Sequence, residues 1–330
     1  MGAENELFMH ALHENLHAKF HEDRRSPEDV RELFSALGFE DVPEDILKRL
    51  SLLSDIEDNK TKKNSHFQDA VEISEIIDNL VEEESLTETE LNELRYAALV
   101  HDVGKSGPAE ATSEEQGAYV ELYNLNFDHN EYEFDDKTFS PQEVSIEKAL
   151  AIKVQEGRLT QEQADRTLEL VLQSSKKQKV KRFDTKLSKK TPMGTFWSAH
   201  VYWTYDILKE SSVKEEITDV AASHHIIDGH DPAQIGIDNV TSTIASLEMA
   251  DKYQAFRVRL ILADKYQAFR KRGAKSHEDT IAIMKGMIEE KLFGHDKALA
   301  VYMQVLGSID KHKEIFEKEL DLDKVEAQAG

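Results

Sequence analysis

His101-Asp102-Val103-Gly104-Lys105 brings an imidazole, a carboxylate and an ammonium together at the end of an apolar run, Leu94 to Val100. An adjacent His and Asp at a helix end can face one metal centre, a ring nitrogen beside a carboxylate oxygen. Gly104 lets the backbone leave the helix, and Lys105 puts a cation within reach of whatever anion the metals bind. Most His-Asp pairs are ordinary polar surface, so this one carries weight only if ligands of the same kind recur. They do, as His66, His200, His224, His225 and Asp251. Each lies in or at the end of a segment with helical apolar periodicity, where its side chain can point into a bundle core. A single buried histidine is more often a satisfied core residue than a ligand. Five histidines and two aspartates so placed are costly to bury unless they are paired or metal-bound. The set suits two borderline divalent transition metal ions, Mn, Fe or Co by ligand type, with Asp102 bridging. Two such ions lower the pKa of a shared water and clamp both oxygens of an in-line displacement.

The 330-residue chain is long enough for one large domain or two ordinary ones, and its 32% charged residues fit a folded, helix-rich protein. It contains no cysteine, which excludes disulfides, thiolate metal sites and cysteine nucleophiles. A formal net charge of −24 opposes binding to bulk nucleic acid or to an anionic membrane. No apolar run approaches spanning length and no leader pattern opens the chain, so a cytoplasmic protein is expected.

The elements that must position these residues can be read in order. Residues 1–60 read as an N-terminal helical region of short helices. Within it His10, His13, His17 and His21 share one helical face, most simply a solvated one, and Ser26-Pro27-Glu28-Asp29 is a helix start. His66 opens a helix through Val71, Ile73, Ile76, Ile77 and Leu80. Thr87-Glu88-Thr89-Glu90 is a capping box for the helix that delivers His101. Residues 109–190 read as an insertion. It holds a small aromatic-rich hairpin within 118–139, then helices starting at Ser140-Pro141 and at Thr160, joined at Glu156-Gly157-Arg158. Eight Lys or Arg fall within 176–190, either a solvated loop or an anion-attracting rim. His200 lies in an aromatic segment, His224-His225 follows Val220-Ala221-Ala222, and 321–330 reads as a tail.

Ala250 to Arg257 recurs letter for letter as Ala263 to Arg270, which offers Asp251 and Asp264 for one ligand position. On a continuous helix, thirteen residues turn the second carboxylate by about 220°, so the two cannot serve one metal.

With these residues in view, the chain resembles the HD-domain metal-dependent phosphohydrolase superfamily, and within it the HD-GYP branch, over about 61–108 and 191–290. His101-Asp102-Val103-Gly104-Lys105 matches that branch's His-Asp-x-Gly-Lys. His224-His225-Ile226-Ile227-Asp228-Gly229-His230-Asp231-Pro232 is similar to a shortened form of its second signature, without the Glu and the Gly-Tyr pair. The resemblance implies an all-α HD bundle over 61–320. His66, His101 and Asp251 would hold one metal, His200, His224 and His225 the other, and Asp102 would bridge. A metal-bridging hydroxide would attack a phosphodiester, with Lys105, Asp228 and His230 meeting the substrate. The interval of 19 residues from Pro232 to Asp251 resembles the family's and favours Asp251 over Asp264. Lys62 stands where some members carry a third-metal Glu, which argues for two ions, Fe or Mn. The implied partner is a small anionic nucleotide or other phosphodiester, a cyclic dinucleotide such as cyclic di-GMP being one candidate, and a homodimer is open to it. An HD-type di-iron oxygenase and a non-catalytic HD-type signalling module are the competing readings. Lys105 speaks for phosphate against the first, and the full ligand set for turnover against the second.

Overall fold

The structure, a computed structural model, describes residues 25–36, 38–54, 66–81, 87–125, 127, 131–134, 137–177, 187–225, 251–271, 275–289, 303 and 305–310. It is mostly helical, as an all-α reading requires. In chain order the helices are α1 (Pro27–Ala36), α2 (Glu44–Leu53), α3 (His66–Val81), α4 (Glu88–Val100), a 3-10 turn (Val103–Ser106) and α5 (Ser113–Tyr123). After the hairpin β1 (Tyr132–Phe134) and β2 (Lys137–Phe139) come α6 (Ile146–Gln155), α7 (Gln161–Lys177), α8 (Met193–Ser198), α9 (His200–Glu210) and α10 (Glu215–Ala222). The helices α11 (Asp251–Lys271) and α12 (His277–Glu289) follow.

Local chemistry sets where these helices begin. Thr87 accepts from the Glu90 amide at 3.3 Å while Glu90 accepts from the Thr87 amide at 2.9 Å, a reciprocal cap that satisfies two otherwise orphaned donors. Thr112 and Glu115 repeat the device at α5. Thr160 and Gln163 repeat it at α7. The helix expected at Ser140-Pro141 begins instead after Ser145, whose hydroxyl caps the Lys148 amide. Ser140 and Glu143 bond each other across a single turn, and that closed turn is all that Ser140-Pro141 starts. The hairpin is antiparallel, pairing Tyr132 with Phe139 and Phe134 with Lys137.

One continuous hydrophobic core joins the elements. It runs from Val30, Phe34 and Leu47 in α1 and α2, through Leu94 and Val100 in α4, to Leu260 and Leu262 in α11 and Met284 in α12. The N-terminal helices are therefore built into the same core as the helices that carry the His-Asp motif. The segment 109–190 is part of it too, since α5 lays Tyr119 on Trp203 of α9, ring centroids 5.0 Å apart. Among the described residues no helix is long and apolar enough to cross a membrane.

Candidate metal centre

Three histidines are oriented by one device. Each follows a helical carbonyl by three residues at a helix end, where carbonyls lack an intrahelical partner. His101 Nδ1 donates to Ala98 O at 2.6 Å after α4, His224 Nδ1 to Ala221 O at 2.6 Å after α10, and His200 Nδ1 to Trp197 O at 2.5 Å after α8. A carbonyl can only accept, so Nδ1 carries the ring proton and Nε2 of the neutral ring is left as the lone-pair donor. Such fixing of the far nitrogen by a backbone carbonyl is the usual outer support of a metal-binding histidine.

The three Nε2 atoms converge on Asp102. His200 Nε2 lies 3.2 Å and His224 Nε2 3.6 Å from Asp102 Oδ1, and His101 Nε2 lies 3.4 Å from Asp102 Oδ2. His200 Nε2 and His224 Nε2 are 3.2 Å apart. These are all lone-pair atoms, and they repel unless a cation or proton lies among them. His101 Nε2 and Asp102 Oδ1 are buried without a hydrogen-bond partner. Burial opposes ionisation of Asp102, but the Lys105 ammonium against Oδ2 holds it below the usual carboxylate range. Burial, only partly offset by Asp102, lowers the pKa of both His101 and His224, which keeps both rings neutral, as ligation requires. His101, Asp102 and His224 form one group able to hold an ion, and His200, His224 and His225 a second. The donor set, nitrogen and carboxylate oxygen with no sulfur, suits borderline divalent metals.

The remaining residues expected at the site separate into three sets. Lys105 is in place, its Nζ 2.5 Å from Asp102 Oδ2 and 3.1 Å from His66 Nδ1. His66 therefore reaches the site through Lys105. Of the two repeat aspartates, α11 carries Asp264 to the cluster. It is 5% exposed, and its Oδ2 lies 3.9 Å from His225 Nδ1. Asp251, expected as the ligand, opens the same helix about 20 Å away along the axis, and one straight helix cannot bring both to one centre. The structure thus sets Asp264 beside His225, whereas the interval counted from Pro232 favours Asp251. The side chain of Asp251 lies outside the described residues, as do Asp228, His230, Lys62, the histidines of residues 1–24 and most of the basic stretch.

Two supports, Thr204 and Tyr123, were not read from the sequence. Thr204, one turn after His200 on α9, donates from Oγ1 to His101 O at 2.9 Å and accepts from the Gly104 amide at 3.0 Å. It ties the motif turn to the helix that begins with His200. Gly104 is required there, since a Cβ would collide with the His200 carbonyl and the Thr204 amide. Tyr123 of α5 donates to Phe196 O at 2.8 Å and to Trp197 O at 3.3 Å, the carbonyl that also orients His200. The i, i+4 spacing of His200 and Thr204, and of Tyr119 and Tyr123, is the signal that would have placed them on the inward faces. No protein-family model, curated protein or solved structure matches this chain.

Proposed function

We propose that this protein is a metal-dependent phosphohydrolase of HD type, acting on a phosphodiester of nucleotide class. The observation that carries the proposal is the convergence of three preset Nε2 atoms on one buried carboxylate, with an ammonium in contact with that carboxylate. The metals would supply Lewis acidity and a water of lowered pKa. Asp102 offers Oδ1 to the His200 and His224 side and Oδ2 to the His101 side, the arrangement a bridging ligand needs. Lys105 is within reach of a phosphoryl oxygen at the metals and can neutralise charge that grows there. Tyr123 of α5 sets its ring edge-on to His200, centroids 6.0 Å apart, and a water-poor wall on that side strengthens each of these charge contacts.

Two measurements test the proposal together: metal content after anaerobic purification, and hydrolysis of bis(p-nitrophenyl) phosphate and a nucleotide panel with Mn or Fe. About two metals per chain are expected, with loss of both metal and hydrolysis in Asp102→Ala. Oxygen consumption with a non-phosphorylated substrate, and no phosphate ester cleaved, would assign the oxygenase chemistry instead. Protein unable to take up either metal overturns the proposal.

A further inference from the structure

The histidines of the centre are not equivalent. His101, His200 and His224 spend Nδ1 on backbone carbonyls and aim a lone pair at Asp102 through Nε2. His66 has the opposite pattern: its Nδ1 accepts from Lys105 Nζ at 3.1 Å, so its lone pair is taken and its ring proton sits on Nε2. The same ammonium holds Asp102 Oδ2 at 2.5 Å. Lys105 is only 9% exposed. One positive charge thus lies between a histidine lone pair and one oxygen of the bridging carboxylate, where a second metal would find its ligands. On the other side, Lys265 Nζ stands 3.5 Å from His225 Nδ1 and 3.7 Å from Asp264 Oδ2, longer contacts than those Lys105 makes to His66 and Asp102.

We propose that Lys105 is an internal competitor for metal at the His66 side, so that the centre loads in two unequal steps. The first ion enters at His200, His224 and His225. The second must move the ammonium off Asp102 and His66, which frees Lys105 to meet the anionic group of the substrate. Metal loading and formation of the anion site become one event, and by linkage an anion that draws Lys105 away favours the second ion. This rests on the metal-centre reading above and adds an order of loading and a second role for Lys105.

Titration of the metal-free protein with Co(II), followed by absorbance and calorimetry, tests it without any turnover. Wild type is expected to take a first Co(II) tightly and a second at least about tenfold more weakly, given the repulsion between an ammonium and an ion a few ångströms away. Lys105→Met, which keeps the length of the stem and removes the charge, is expected to tighten the second step by about tenfold or more and leave the first unchanged. Lys105→Arg keeps the charge and should keep the gap. A second measurement needs no variant: inorganic phosphate should tighten the second step in wild type, and much less in Lys105→Met. Two equal steps in wild type, a second step unchanged or weakened in Lys105→Met, or phosphate acting equally on both proteins overturns the competitor role while the metal centre stands. Absence of any Co(II) binding overturns the metal centre itself.

Discussion

Single residues decide what the proposed centre would hold. Asp264 and Asp251 are identical in their immediate sequence, and α11 sets Asp264 beside His225, where its charge also acts on His101 and His224. Asp264→Asn is therefore expected to weaken Co(II) binding by about tenfold or more, as a ligand or its outer support does, and Asp251→Asn to leave it unchanged. A metal titration of the two variants checks this, and the reverse order would return the ligand role to Asp251. The buried imidazoles also fix a pH dependence. In the unfolded chain His101 and His224 take up protons near their ordinary value of 6.5, but in the folded chain burial holds their pKa lower. Below pH 6.5 the unfolded state binds more protons, so stability falls as the pH drops until the folded values are passed. Each ring contributes up to about 1.4 kcal/mol per pH unit in that window. Urea unfolding of metal-free protein at pH 7.5, 6.5 and 5.5 should show stability flat across the first interval and falling across the second.

At the scale of elements, the centre depends on how closely the motif turn can approach α9. Gly104→Ala inserts a methyl against the His200 carbonyl and the Thr204 amide, both backbone atoms of α9 that cannot rotate away. The turn and α9 must separate, which costs about 1–3 kcal/mol of stability and loosens His200 relative to Asp102. A lower urea midpoint together with weakened Co(II) binding is expected; a lower midpoint with intact binding would show that Thr204 holds the turn despite the methyl. This packing also marks where sequence was informative. The capping boxes at Thr87 and Thr160, the helix ends at Val100 and Ala222 and the hairpin near 132–139 follow from local chemistry, which a sequence displays. So does the identity of His101, Asp102, His200 and His224, because an imidazole or carboxylate on an apolar face is conspicuous. Thr204 and Tyr123 are not, since they act through contacts between positions a hundred or seventy residues apart. Choosing between Asp251 and Asp264 likewise needs the place along α11 where the helix meets the bundle.

For the whole molecule the question is whether the N-terminal helices and the helices that carry the proposed metal centre form one cooperative unit. Arg49 of α2 bears on this most directly. It is fully buried and donates to Ser106 Oγ at 3.0 Å and to the carbonyls of Gly107, Pro108 and Ala109 at 3.3, 3.2 and 2.9 Å. Its Nε donates to Asp45 at 2.7 Å. One side chain from the N-terminal region thus holds the loop that directly follows Lys105. Arg49→Met retains most of the apolar stem but leaves three carbonyls without their donor, a loss of about 3–5 kcal/mol. If the molecule is one unit, this variant unfolds in a single transition at lower denaturant. Co(II) binding then weakens with it, because the Ser106–Ala109 loop no longer fixes Lys105 and Asp102. If residues 1–60 fold as a separate region, the variant instead shows two transitions and wild-type metal binding. Equilibrium unfolding followed by both far-ultraviolet circular dichroism, to which α1 and α2 contribute, and the Co(II) spectrum distinguishes the two, and coincident curves are expected, since Phe34 and Leu47 share their core with Val100 and Leu260.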